Sequence, residues 1–449
     1  MVLAALEHKP DEYLAKPYTL NDLATRLERC FLKKSTMLKI YQAMDTDNFQ
    51  QVLDLCEKAI VTNSRYKTEC LGIQSRQHFE LAQFEEAKAI YEAYLGATNC
   101  QWAAIGLGKI ALLDDEFDLA ISYFDAVVKS HPLYLSAYDW LAKAYITNRQ
   151  PSLAEEILEK ALLVSPRSVP RLKKYADLCL TNENYNKATT AFSKTTDLAY
   201  HSVHKNPENA IQFVEALLEY AENLSVYQIR KLNNKAFKAL GDMIKDFNSS
   251  ELKIHSQLLT ARLHHKAKEP YLSKEIIKGA ERLLNRFKSQ LTLTGTLSIA
   301  KSLLALERKS SAHNLLNDLA QANPDNTEVL AQIYSLSDKP LHESDKIAAQ
   351  NALEVSNNLY RANHYSLAID KLNKALIHFP NHLGIKLNLL QTLIASFDKN
   401  HDKIADIKQA KILINEFKKL TPGSESYKRF MILYEKYNLI KKSITSSKE

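Results

Sequence analysis

Apolar and small residues recur along the middle of the chain with a period of 34 residues. Three blocks in register begin at Gln101, Leu135 and Val169. The type of residue is kept at four positions: small at 8 (Gly108, Ala142) and 20 (Ala120, Ala154, Ala188), large and apolar at 24 (Phe124, Leu158, Phe192), and proline at 32 (Pro132, Pro166). A fixed period of this length predicts a repeated helical hairpin, one in each block.

The residue types that recur at these positions have a physical reason within such a hairpin. Small residues at positions 8 and 20 let the two helices approach closely, and the large residue at position 24 fills the gap against the next hairpin. Proline at position 32 falls after the second helix, where a missing N–H costs little. This combination resembles the tetratricopeptide repeat, and the resemblance implies stacked hairpins whose concave face binds other proteins.

The period continues, less regularly, on both sides of these blocks. The predicted fold class is all-α, a superhelical solenoid of helix hairpins, with a short α/β segment at the N-terminus. The predicted domains are a segment 1–32, a first array 33–202 (repeats 33–66, 67–100, 101–134, 135–168 and 169–202), divergent helices 203–292, a second array 293–424 (repeats 293–326, 349–382 and 383–424), and a capping helix with a polar tail, 425–449.

The first 32 residues do not follow the period. Ala4–His8 and the run D-E-Y-L-A-K-P-Y-T-L-N-D-L over 11–23 resemble the end of a response-regulator receiver domain. The resemblance implies a fourth helix, a fifth strand and a fifth helix. It gives Lys16 the place of the lysine that contacts the phosphorylated aspartate, followed at Pro17 by a peptide bond that is usually cis. Tyr13 matches the aromatic switch residue.

A complete receiver domain also needs an acidic pair, an acceptor aspartate and a Ser or Thr, all of which would lie before Met1. We therefore expect that the chain as written cannot accept a phosphoryl group. Two explanations stay open: a start codon placed inside a longer reading frame, which we favour, or a truncated product. With a complete receiver, the resemblance implies a cognate histidine kinase as partner.

Composition and charge narrow the class of protein. Nine glycines, 12 prolines and 25% charged residues are typical of a helical protein. Because no apolar run reaches about 18 residues and no signal peptide is visible, we expect a cytoplasmic protein without membrane contact. The five cysteines have no metal-ligand spacing, and we expect small buried side chains in a reducing compartment.

The net charge of +7 is unevenly distributed. Residues 201–290 contain 15 basic and 10 acidic residues. One alternative function is therefore a regulator that binds nucleic acid through this segment, with binding that weakens steeply with salt. Because no helix-turn-helix or alternation of aromatic and basic residues accompanies the charge, we expect nucleic acid not to be the partner.

No catalytic motif, cofactor loop or metal-ligand cluster occurs in the sequence, so we expect a non-enzymatic protein without a cofactor or metal. In the tetratricopeptide architecture, positions 2, 5, 9 and 12 of each first helix face the groove. The resulting candidates for binding an extended or helical peptide are Trp102, Lys109, Asp139, Lys143, Lys173 and Asp177.

One known use of this groove is not supported. Chaperone-tail-binding repeats place Lys and Asn at positions 5 and 9 to hold a terminal carboxylate, whereas these positions are Ile105 and Lys109, then Asp139 and Lys143. The leading hypothesis is a non-enzymatic scaffold or adaptor that binds a protein partner and serves as the output arm of a response regulator in two-component signalling.

Overall fold

The computed structural model describes residues 14, 16–62, 64–98, 100–324, 326–337, 340, 343–399, 404–418 and 425–446. The chain divides into two compact units. The first contains the residues up to Ser225 together with 234–240, and the second contains 226–233 together with the residues from Gly241 onward. Within the described ranges the regular elements are helices, which confirms the predicted all-α array.

Eleven helices lie wholly within the described residues of the first unit, and the first ten form five successive hairpins. They are α1 (Leu20–Asp45), α2 (Phe49–Thr62), α3 (Lys67–Glu80), α4 (Phe84–Thr98), α5 (Gln101–Leu113), α6 (Phe117–Ser130), α7 (Leu135–Thr147), α8 (Pro151–Val164), α9 (Val169–Thr181), α10 (Tyr185–Ala199) and α11 (Pro207–Tyr220). The pairs α5–α6, α7–α8 and α9–α10 begin at the residues where the 34-residue blocks begin.

Helix α12 (Val226–Phe247) contributes residues to both units. The helices that follow belong to the second unit: α13 (Ser250–Lys266), α14 (Pro270–Phe287), α15 (Leu293–Ala305), α16 (Lys309–Ala322), α17 (Thr327–Leu336), α18 (Glu343–Arg361), α19 (Tyr365–His378), α20 (Leu383–Lys399), α21 (Ile404–Phe417) and α22 (Glu425–Ser446). Short 3₁₀ turns occur at Ser64–Tyr66, Ala221–Asn223 and Lys288–Gln290.

Three boundaries in the second unit differ from the sequence prediction. The sequence pattern did not single out α17, and α18 starts six residues before the predicted repeat at Ala349. Helix α22 continues to Ser446, into the segment predicted as a polar tail. This extension has a simple reason, because no glycine or proline follows Ile440 to end the helix.

The first regular hairpin, α5–α6, is built around a contact between a small residue and a ring. A Cβ atom added to Gly108 would lie 2.5 Å from Cε1 of Phe124, so the ring rests directly on the backbone of α5. The alanines at position 20 (Ala120, Ala154 and Ala188) are all fully buried. The Phe124 ring also stacks on Trp140 of the next hairpin, with 6.2 Å between centroids. Phe124, at position 24, therefore joins its own hairpin to the next one.

The turn between the two helices of each block repeats as well. Asp115, Arg149 and Glu183, all at position 15, have positive φ values of 59°, 57° and 60°. The residue after each turn donates its N–H back into the first helix, as from Glu116 to the oxygen of Ala111 at 2.8 Å. This left-handed residue with its backward hydrogen bond ends α5, α7 and α9 in the same way.

The same turn occurs where the sequence period fails. Between α13 and α14, Lys268 has a φ of 58° and Glu269 donates its N–H to the oxygen of His264 at 2.9 Å. Glu307 and Asn363 repeat the conformation in the second unit, with φ values of 59° and 62°. The segment predicted as divergent therefore contains a hairpin of the same kind as the regular blocks.

A buried carboxylate links two hairpins of the first unit. Glu155 on α8 accepts hydrogen bonds from Asn182 at 2.8 Å, Asn184 at 2.7 Å and Lys187 at 3.2 Å. Burial alone would raise the pKa of the Glu155 carboxyl, but these donors outweigh it and hold the pKa below its ordinary value. The interaction fixes the turn after α9 against α8.

The N-terminal residues are described only in part. Tyr13, the predicted fourth helix and nearly all of the predicted fifth strand lie outside the described residues. Lys16 and Pro17 are exposed, and the bond between them is cis. Helix α1 begins after Thr19, whose side chain accepts from the N–H of Asp22 at 3.1 Å while Asp22 accepts from the N–H of Thr19 at 2.9 Å. This reciprocal cap is a capping box.

We predict opposite effects for two glycine substitutions in the first unit. Gly108→Ala would press a methyl group onto the buried Phe124 ring and lower the free energy of unfolding by about 1–3 kcal/mol. Gly96→Ala is the control, because no heavy atom lies within 4 Å of the added Cβ. It should raise the free energy of unfolding by about 0.5–1 kcal/mol through helix propensity alone. Denaturant unfolding measures both, and equal effects would contradict the close approach.

Candidate peptide-binding groove

A row of charged residues runs along the first helices of four successive hairpins. Position 9 is Lys109 on α5, Lys143 on α7 and Asp177 on α9. With Pro207 as the first helical residue, position 9 of α11 is Glu215. The charge at this position therefore changes sign along the row, from two lysines to two carboxylates.

The basic end of the row is organised around an indole. The ammonium nitrogen of Lys109 lies 4.5 Å from the ring centroid of Trp140, and that of Lys143 lies 4.7 Å from it. Lys109 is also 5.7 Å from the ring of Phe79 on α3. A cation over an aromatic face is held by about 0.5–1 kcal/mol at a partly exposed site. Trp140 thus keeps two positive charges close together although they repel each other.

The acidic end of the row contains three carboxylates, Asp177, Glu208 and Glu215, and one lysine, Lys173. Asp177 is accessible to solvent, yet burial of its surroundings raises its pKa and the nearby Lys173 opposes the rise only in part. Burial likewise raises the pKa of Glu208, helped by the charge of Glu215 and opposed by Lys173. The three carboxylates thus give this end of the row an excess of acidic side chains over the single Lys173. This end is therefore suited to a cationic group.

Two of the predicted groove residues are already occupied. Asp139 receives a fork of two hydrogen bonds from Arg171, from Nε at 3.0 Å and from Nη2 at 2.9 Å. The arginine is only 7% exposed and the aspartate 31%, so this ion pair joins α7 to α9. Trp102 is half-buried and packs on Tyr91 and Tyr94, with centroid distances of 5.9 Å and 5.2 Å. Both residues hold neighbouring hairpins together.

Sequence reasoning missed four residues of this surface. Trp140 is adjacent in sequence to a predicted groove residue and three residues before Lys143, and this spacing was the available signal. Glu208 and Glu215 become visible only once α11 is placed in register, because the 34-residue spacing is broken before Pro207. Arg171 had no signal, since position 3 is not among the groove positions.

The described part of the chain offers no metal site and no membrane-spanning helix. It contains no group of three or more histidine, cysteine or acidic side chains that could hold a metal ion. None of its helices has both the length and the apolar character that crossing a bilayer requires. All five cysteines are free thiols, and Cys56, Cys70 and Cys179 are buried.

No family model and no curated protein sequence matches the chain. Solved structures do resemble it. The C-terminal part of a TPR-repeat-containing protein from Cytophaga hutchinsonii is 15% identical, with a TM-score of 0.40, over 65% of this chain and 97% of its own. A tetratricopeptide repeat protein from Parabacteroides merdae is 14% identical, with a TM-score of 0.36, over 60% of this chain and 97% of its own. PilF of Pseudomonas aeruginosa is 19% identical, with a TM-score of 0.30, over 51% of this chain and 94% of its own.

These TM-scores are low, so the fold is assigned from the hairpins of this chain. The 34-residue period, the ring on the position-8 backbone and the recurring left-handed turn all occur in α5–α10. The chain has a tetratricopeptide-type fold.

We predict that the ion pair between Arg171 and Asp139 stabilises the folded chain. Arg171→Ala should lower the free energy of unfolding by about 1–3 kcal/mol, because it removes two charge-assisted hydrogen bonds and leaves a partly buried carboxylate unpaired. Arg167→Ala is the matched control at an exposed position and should stay within about 0.5 kcal/mol of the parent. If denaturant unfolding gave the same value for both variants, the ion pair would not link the hairpins.

Proposed function

We propose that this chain is a non-enzymatic scaffold that binds a protein partner along the first helices α5, α7, α9 and α11. The observation that carries the proposal is the reversal of charge at position 9, with Trp140 holding Lys109 and Lys143 at one end. A stack of hairpins offers one continuous surface of this kind, and repeat proteins use such surfaces to bind extended segments.

The charge pattern selects a partner of matching polarity. A bound segment would place acidic side chains beside Lys109 and Lys143 and basic side chains beside Asp177, Glu208 and Glu215. The reverse orientation puts like charges together, which costs binding energy and favours dissociation. The groove would therefore select the orientation of the bound segment as well as its sequence.

The basic segment 201–290 offers less support for nucleic acid as the ligand. Several of its cations are paired with carboxylates: Arg230 with Glu269, Lys235 with Asp197, and Lys278 with Glu275. Paired cations release fewer counterions on binding a phosphate backbone, which weakens that interaction. A protein ligand is the better-supported alternative.

A finer proposal concerns the signal. We propose that the array is the output arm of a response regulator, on the strength of the resemblance in residues 4–23. An exposed apolar stripe on α1 supports it, with Leu20 84%, Leu27 46% and Phe31 69% exposed. Such a stripe marks a surface that another polypeptide segment covers. In a complete regulator, a histidine kinase would supply the phosphoryl group.

The groove proposal predicts a charge-dependent interaction. Partners are captured on the full-length chain from a lysate of its source cells, and each captured protein is purified and titrated directly. The double variant Lys109→Glu/Lys143→Glu should bind about tenfold or more weakly, since two attractions become repulsions. In a Trp102→Phe background Trp140 is the only remaining tryptophan, so its fluorescence reports binding at the site.

Lys160→Glu is the matched control, because Lys160 is exposed on the second helix α8. It should bind as the parent does. A partner whose affinity and Trp140 signal are unchanged by the double reversal would place the binding surface elsewhere.

The regulator proposal has an independent test. The DNA upstream of Met1, read in the same frame, should encode an acidic pair, an acceptor aspartate and a Ser or Thr in receiver order. A stop codon directly upstream would make the output-arm proposal wrong and leave the groove proposal untouched.

A further inference from the structure

A second polar site lies in the other unit, on three neighbouring helices. Arg429 on α22 donates from Nη2 to the side-chain oxygens of Asn388 at 2.6 Å and Gln391 at 2.8 Å, both on α20. Asn388 in turn donates from its amide nitrogen to the side-chain oxygen of Asn357 on α18, at 3.1 Å. This second bond turns the Asn388 oxygen toward the guanidinium.

The arginine is held in an unusual environment for a cation. It is half-buried, and burial lowers the pKa of its guanidinium. Both acceptors are neutral amides, and no carboxylate of the described residues pairs with it. A desolvated charge is normally paired, because removing it from water is costly. Arg429 thus keeps its full positive charge in a place where an anion would be favoured.

The site also has hydrogen-bond donors to spare. A guanidinium carries five N–H groups, and the two amide acceptors account for those on Nη2. The N–H groups on Nε and Nη1 have no partner among the described residues, yet neither nitrogen is sealed from solvent. The two amide acceptors on α20 hold the arginine in position, so its free N–H groups have a fixed location.

We propose that Arg429, positioned by Asn388 and Gln391, is the centre of an anion-binding site for a carboxylate or phosphate group. Arg429 supplies the free N–H donors and the positive charge, and charge-assisted hydrogen bonds from arginine to these oxyanions are strong. Asn357 acts indirectly, by orienting Asn388. The site does not depend on the groove of the first unit, and it would give the scaffold a second ligand.

The test uses the full chain labelled with ¹⁵N-arginine. Sodium acetate and sodium phosphate are titrated separately at constant ionic strength, with sodium chloride as the balancing salt. The Nε–H signal of Arg429, assigned by its loss in Arg429→Gln, should shift along a saturating curve with at least one of the two anions. The anion that saturates at the lower concentration identifies the group as a carboxylate or a phosphate.

Thermal unfolding gives a second reading that does not need the arginine signal. The binding anion should raise the Tm of the parent and of the matched control Arg282→Gln, an exposed arginine on α14, relative to chloride. In Arg429→Gln the same anion should give no rise, and Arg429→Lys should retain part of it.

Two results would overturn the proposal. One is an Arg429 signal that shifts linearly, or not at all, with both anions. The other is a Tm increment in Arg429→Gln equal to that of the parent. Should Arg429→Gln lose its helical circular dichroism, Asn388→Ala takes its place, and unweakened binding in that variant would count against the site.

Discussion

The fold depends on how closely the two helices of a hairpin approach each other. Gly108 has no side chain, so the ring of Phe124 can rest on the backbone of α5. From there the ring reaches the next hairpin and stacks on Trp140. The same indole holds Lys109 and Lys143 on its face. A packing contact in the core thereby sets the position of two charges on the surface.

Much of this fold could be predicted from the sequence, since period and small residues are local signals. The hairpin turns could not, although they recur at position 15. A left-handed residue is usually recognised by glycine or asparagine. Here it is Asp115, Arg149 and Glu183, so the conformation is imposed by the two helices and leaves no mark in composition. Helix α17 was missed because no second helix of a regular block follows it.

The candidate groove was predictable only as far as it follows the period. Position 9 gave Lys109, Lys143 and Asp177, because a repeat fixes which way each first helix faces. Which residues pair across hairpins depends on the rotation of one hairpin against the next. Asp139 was predicted to face a ligand, yet it pairs with Arg171. The rotation between neighbouring hairpins cannot be predicted from one sequence alone.

Close contacts between helices of the first unit join elements that are adjacent or next but one along the chain. Such a chain of local contacts folds quickly, because few long loops must close before contacts form. It also opens more readily at its first hairpin, since among the described residues α1–α2 has one neighbouring hairpin and a central hairpin has two. Amide hydrogen exchange should consequently be slower in the hairpins around Trp140 than in α1–α2. The proposed binding surface then lies on hairpins that open less often than the first one.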